Sequence, residues 1–335
     1  MLTTRRDLVL AAATSAAAGL IWSGARRAAR TQEAWPETTR VTLAKSPSLC
    51  VMPQYVIDEL LADEGITEVD YVVTDAGPLL SEAIASGQIN FSLQFSGPLI
   101  LAIDRGAKVT MLAGVHVGCF ELFAKDGINS IADLKGRSVG ITALESSNHV
   151  FLSAMAALVG LDPAKDINWV TSAEPKPIEL FLDGGVDAFL GFPPEPQRLR
   201  AQGVSHVIVN SAQDRPWSQY FCCLLTGNPE FVRTKPIAAK RVARAILRAT
   251  DLCLSAPTKV ARRIVDRGFA SNYEYAVQTL SDVPYGKWRD YDPEDTIRFY
   301  ALRLHEAGMI KSTPDRIIAE GADWRLLREV RRELG

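Results

Sequence analysis

Four short stretches carry side chains able to grip a small solute: Ser46-Pro47-Ser48, Ser96-Gly97-Pro98, Ser146-Ser147-Asn148-His149 and Phe192-Pro193-Pro194-Glu195. Their hydroxyls, amide and imidazole suit hydrogen bonding to a bound molecule rather than bond breaking. The third stretch opens a helical pattern, and a helix start presents unpaired N–H groups and a positive dipole end, which favours an anionic group. Ser146 or Ser147 also reads as an ordinary N-cap, worth about 1 kcal/mol with or without a ligand. Glu195 would repel an anion and favour an amine or hydroxyl. Tyr220 and Trp217 could stack on a planar ligand, and His116 and Glu121 are weaker candidates. The expected ligand-binding set is Ser48, Ser96, Gly97, Ser146, Ser147, Asn148, His149, Pro193, Glu195 and Tyr220.

Other chemistries lack their residues. The order and spacing of a nucleophilic triad or a carboxylate pair are missing, so no catalytic residue is expected. The five cysteines (Cys50, Cys119, Cys222, Cys223 and Cys253) include no C-x-x-C pair, and the four histidines are scattered. No metal and no cofactor are therefore expected, and each cysteine reads as a small buried hydrophobe. Cys222 and Cys223, adjacent on a strand, should point to opposite faces. Lys45 and Arg215 are the positive charges nearest the candidate loops, which favours a monoanion, zwitterion or neutral polar solute over a dianion. A formal net charge of −2 gives no field for nucleic acid.

The loops must be held by an alternating scaffold. From Arg40 onward, β-rich runs of about five residues alternate with helical patterns: strands at 40–44, 69–73, 90–94 and 109–113, then at 120–124, 138–142, 168–171, 188–192 and 207–210. Such runs indicate parallel strands buried on both faces of a doubly wound sheet. A further β-rich run covers 220–226, and the chain is helical from about Lys235 to the end. At 335 residues two domains are the natural expectation. We read two α/β lobes, 39–118 with 216–335 and 119–215, joined by crossings near Val117-Gly118 and Arg215–Tyr220. A cleft between lobes is where a ligand sits.

The first 38 residues read as an export signal and leader. Arg5-Arg6 precede an Ala-rich apolar stretch from about Leu8 to Trp22, shorter than the roughly twenty residues of a membrane span. Thr4-Arg5-Arg6-Asp7-Leu8-Val9 matches the twin-arginine type, whose cargo is exported folded. Arg26, Arg27 and Arg30 leave cleavage or retention as an anchor open.

The segment from Cys119 to Ile141, with Ile131-Ala-Asp-Leu-Lys-Gly136 at its centre, resembles periplasmic binding proteins of ABC transporters for nitrate, alkanesulfonates and taurine. The superfamily also includes binders of thiamine-pyrimidine precursors. Gly87-Gln-Ile-Asn90, Phe95-Ser-Gly-Pro98 and Gly185-Val-Asp-Ala188 resemble that family's turns, over roughly 40–255. Departures are the proline-rich Phe192–Pro196 and the presence of Cys119, His149 and Cys222 where hydroxyls and amides are usual. The resemblance implies a two-lobed (type II, flytrap) α/β fold with a helical C-terminal tail. It implies a periplasmic, monomeric receptor that closes on a small molecule and docks on an ABC permease and ATPase. The alternatives are a receptor for a membrane sensor, or an enzyme like the thiamine-pyrimidine synthase of the same fold, whose cysteine-rich stretch Cys222-Cys223 resembles.

Overall fold

A computed structural model describes residues 33–74, 77–204 and 206–335; the expected signal sequence falls almost wholly at 1–32, outside them. Among the described residues, ten strands form two five-stranded sheets. The first contains β1 (Arg40–Lys45), β2 (Glu68–Val73), β3 (Phe91–Phe95), β4 (Thr110–Val117) and β10 (Phe221–Gly227), in the order β2-β1-β3-β10-β4. The second contains β5 (Glu121–Ala124), β6 (Ser138–Ile141), β7 (Asn168–Thr171), β8 (Ala188–Gly191) and β9 (Val207–Asn210), in the order β7-β6-β8-β5-β9. This is the two-lobed α/β architecture, and helices fill Pro229–Leu334.

The sheets are mixed rather than wholly parallel. β10 runs antiparallel to both β3 and β4, and β5 runs antiparallel to β8 and β9. The reason is topological: a strand entering directly from the other sheet arrives without a helical crossover, so it pairs against the local direction. Helix starts are marked as the sequence suggests, by Pro at the first turn of most helices of the tail and by side-chain caps at Asn228, Asn272, Asp292 and Thr313. After β1 the chain forms a 3-10 turn, Met52–Tyr55, and a helix, Asp58–Asp63, separated by the β-branched pair Val56-Ile57, which helices accommodate poorly.

Pro36–Gly335 form one continuous unit. Alternate residues of the second sheet divide between two cores: Leu122, Ala188 and Leu190 join the large core shared with the first sheet, whereas Phe123 and Phe189 pack with Ile178, Phe181 and Leu199. Among the described residues no helix is long and apolar enough to cross a membrane.

The chain leaves the first sheet at Val117 and returns at Phe221. The two connecting segments touch. Gly118 has φ +34°, and a Cβ there would lie 2.1 Å from the Ser211 carbonyl oxygen. Ser211 Oγ accepts the N–H groups of Cys119 (3.1 Å) and Phe120 (2.8 Å), and its own N–H donates to the Phe120 carbonyl. A hydroxyl thus knots the outgoing segment to the returning one, and no sequence pattern marks Ser211 for that role.

Candidate functional site

The loops beyond β1, β3, β6 and β8 meet between the sheets. The Leu49 N–H donates to the Pro193 carbonyl at 2.9 Å, a direct backbone contact from the first lobe to the second. Phe95, at the end of β3, packs 5.1 Å from Phe120 and 5.2 Å from Phe192 (ring centroids), and Phe120 stacks on Phe151 at 4.4 Å. These rings, buried or partly buried, make the contact between the lobes apolar.

The helix Ser147–Leu158 brings the second lobe's polar start against the first lobe. Val150 sits where any Cβ on Gly97 would collide, at 2.9 Å, so glycine is what lets the helix Ser96–Asp104 approach. Ser147 lies three and four residues before Val150 and Phe151, on the same helical face. Its Oγ is buried and has no hydrogen-bond partner, the residue being 3% exposed. A hydroxyl left so costs about 1–3 kcal/mol, which a ligand atom would relieve. The neighbouring Ser146 Oγ is occupied, within 2.7 Å of the Ala143 carbonyl and 2.6 Å of Asn148 Oδ1. Asn148 Oδ1 also accepts the His149 N–H.

The remaining expected residues divide clearly. Ser48 is buried with its Oγ 3.0 Å from Cys50 Sγ. Ser96 faces β10, its hydroxyl shared between the carbonyls of Phe221 (2.5 Å) and Cys222 (2.8 Å). His149 turns away from the first lobe: Nδ1 accepts the Glu145 N–H at 2.8 Å and the ring meets Trp169 edge-on at 4.6 Å. Burial pushes its pKa down to about 4, so the ring is neutral at ordinary pH. Glu195 is partly buried at the start of the helix Glu195–Ala201, and its Oε2 accepts the Phe192 N–H at 3.2 Å. Desolvation pushes its pKa up to about 7, which softens the expected repulsion of anions. Tyr220 stacks on Phe299 at 3.9 Å, committed to packing at the return crossing. Glu121 is buried against Arg200, which also holds Asp282 at 2.5 Å; burial raises its pKa despite that partner. Lys45 reaches the Gly268 carbonyl and the Phe269 ring. Two shallow surface hollows, beside Val72–Gln88 and beside Lys125–His206, contain none of the expected residues.

Sequence reasoning missed a cluster at the floor of the cleft. Cys50, His116 and Cys119 place one ligating atom each within 4.8 Å of one another, and Cys119 Sγ lies 3.2 Å from Cys222 Sγ. Cys222 and Cys223 do not point to opposite faces as expected. Phe221 pairs with Val117 and Cys223 with His116, so Cys222 is the extra residue of a β-bulge, and a bulge breaks the period of two. Both sulfurs then reach the cluster, Cys223 interacting with Cys50 and Cys222. Burial raises the Cys50 thiol, but the neighbouring side chains of Cys119, Cys223 and His116 outweigh it and hold it well below the ordinary thiol range. The one short-range signal was His116-Val-Gly-Cys119.

A family model described as "NMT1/THI5 like" matches residues 58–260, more than half of the chain. The chain belongs to this family. It is 22% identical over 223 residues to the taurine-binding periplasmic protein of Escherichia coli K12, covering 66% of this chain and 68% of that one. The alkanesulfonate-binding protein of Xanthomonas axonopodis pv. citri bound to MOPS superposes with a TM-score of 0.69 at 17% identity, over 86% of this chain and 99% of that one. The nitrate-binding protein of Synechocystis PCC 6803 gives a TM-score of 0.73 at 16% identity, over 90% of each. These relatives are binding proteins, not enzymes.

Proposed function

We propose that this NMT1/THI5-like chain is the extracytoplasmic receptor of an ABC importer, capturing an organic monoanion such as a sulfonate by closure of its lobes. The observation that carries this reading is the unpartnered, buried Ser147 hydroxyl at the first turn of a twelve-residue helix, where N–H groups and the helix dipole favour an anion. The rings of Phe95, Phe120 and Phe192 suit the solute's apolar body. The two crossings support lobe limits of 39–118 with 216–335 and 119–215. A solute touching both lobes binds the closed form better and shifts the population toward it. The closed monomer would then dock on its permease and ATPase in the periplasm, reached through a twin-arginine-type signal.

The test is a thermal-shift panel on protein stripped of co-purified solute, with nitrate, taurine, alkanesulfonates, aromatic acids, pyrimidines and amines. At a hundredfold over its Kd a true ligand adds about 2.7 kcal/mol. One anionic class should raise the melt, and Ser147→Ala should weaken its binding about tenfold, the loss of one good hydrogen bond to a charged group. A panel in which only amines shift the melt, or in which Ser147→Ala binds the anion unchanged, would refute the reading.

A further inference from the structure

Four cysteines and a histidine, from positions 50 to 223, end at one point of the fold. Cys50 follows β1, His116 ends β4, Cys119 lies in the outgoing crossing, and Cys222 and Cys223 begin the returning strand. All are 5% exposed or less. Burial alone would suit the cysteines as small hydrophobes, but it does not suit the histidine. His116 Nδ1 lies 3.2 Å from the Val117 carbonyl, while Nε2 is buried with no partner. An imidazole with its N–H on a backbone carbonyl and its other nitrogen free has the orientation of a metal-ligating histidine. The loop that carries Cys50 is fixed as well, by Ser48 Oγ at 3.0 Å from Cys50 Sγ and by Tyr285, whose hydroxyl donates to the Cys50 carbonyl at 2.9 Å.

We propose that Cys50, His116, Cys119 and Cys222 bind one thiophilic d10 cation, Zn2+ or Cu+, at the floor of the cleft. Three sulfurs and one imidazole nitrogen form a soft donor set without a carboxylate, which suits these ions and not Mg2+ or Ca2+. Each ligating thiol releases its proton to solvent as the cation enters. Three thiolates and a neutral imidazole leave one net negative charge around Zn2+, the charge of a Cys3His zinc site. The ligands come from the β1 loop and from both crossings, so the cation would tie the hinge together. This site goes beyond the solute reading and shares no residue with the Ser147 contact, so either can fail alone.

The test uses the full chain, stripped of metal and reduced under anaerobic conditions, then offered Zn2+ or Cu+ and desalted. About one equivalent should be retained, and competition between the two ions decides which is preferred. Co2+ in place of zinc should give an intense thiolate-to-cobalt charge-transfer band. Cys119→Ser and His116→Gln should each weaken retention at least about tenfold, whereas Cys253→Ser, outside the cluster, should not. Metal-free melts establish whether each variant folds, and the cobalt spectrum of the unaltered chain decides the matter even where a variant does not. Negligible retention of both ions by the fully reduced chain, or a cobalt spectrum without thiolate charge transfer, would overturn the site. A Cys119–Cys222 disulfide in freshly isolated, metal-free protein would do the same.

Discussion

Arg105 and Glu145 meet as a two-pronged ion pair, Nη1 to Oε2 at 2.5 Å and Nη2 to Oε1 at 2.6 Å. Arg105 caps the end of the helix Ser96–Asp104 in the first lobe, and Glu145 precedes the helix Ser147–Leu158 in the second. Glu145 has φ 68°, unusual for a residue with a side chain, and its N–H is held by His149. The pair therefore sits beside the cleft as a latch braced from behind by an imidazole.

Breaking this latch should loosen closure modestly. Both side chains are more than a third exposed, so the pair is worth at most about 1 kcal/mol. Arg105→Ala and Glu145→Gln should each weaken solute binding about two- to fivefold, and the double variant little more than either. Calorimetry at rising ionic strength should see the difference from the unaltered chain shrink; a difference independent of salt would assign the loss to something other than charge.

The knot between the crossings should be less forgiving. Gly118→Ala places a Cβ on the Ser211 carbonyl in a backbone conformation that favours glycine, at an expected cost of about 2–4 kcal/mol. Ser211→Ala strips the acceptor from two buried N–H groups, at about 1–3 kcal/mol for each. Urea melts measure both, and unchanged midpoints would show that the crossings relax freely.

Two desolvated groups give opposite pH dependences. Glu195, raised from 4.5 to about 7, holds its proton more tightly when folded; its contribution is complete below pH 4.5 and is lost as pH rises through about 7. His149, lowered from 6.5 to about 4, contributes fully above pH 6.5 and loses that contribution as pH falls through about 4. Each group changes stability by up to about 1.4 kcal/mol per pH unit within its window, and the two windows largely overlap. Glu195→Gln should therefore leave a stability that rises from pH 4.5 to 6.5, and His149→Gln one that falls. Denaturant midpoints across that range check the signs; parallel curves for the two variants would contradict at least one assignment.

The sequence made the scaffold legible because strand and helix patterns are local. Runs such as Arg40–Ala44 and Asn168–Thr171 stand within a residue of their strands, and Ser147 marks its helix start. What escaped was decided by pairing between distant segments. The direction of β10, the bulge that puts Cys222 and Cys223 on one cluster, and the meeting of Gly118 with Ser211 depend on partners about a hundred residues away. For the same reason Ser96 and His149, correctly placed at loop ends, have their polar atoms tied to β10 and to the Glu145 turn. Ser147, at the start of its helix, keeps an unused hydroxyl.

The position of β10 also bears on how the chain comes off the ribosome. In the finished sheet β10 lies between β3 and β4, and among the described residues no other strand lies beside β4. Until Phe221–Gly227 emerges, β3 carries an open edge and β4 belongs to no sheet at all, while the whole second lobe is already synthesised. The lobe made second can therefore assemble first, and the first lobe must wait for it with a gap at its centre. Such a gap is a template for mispairing with another nascent chain.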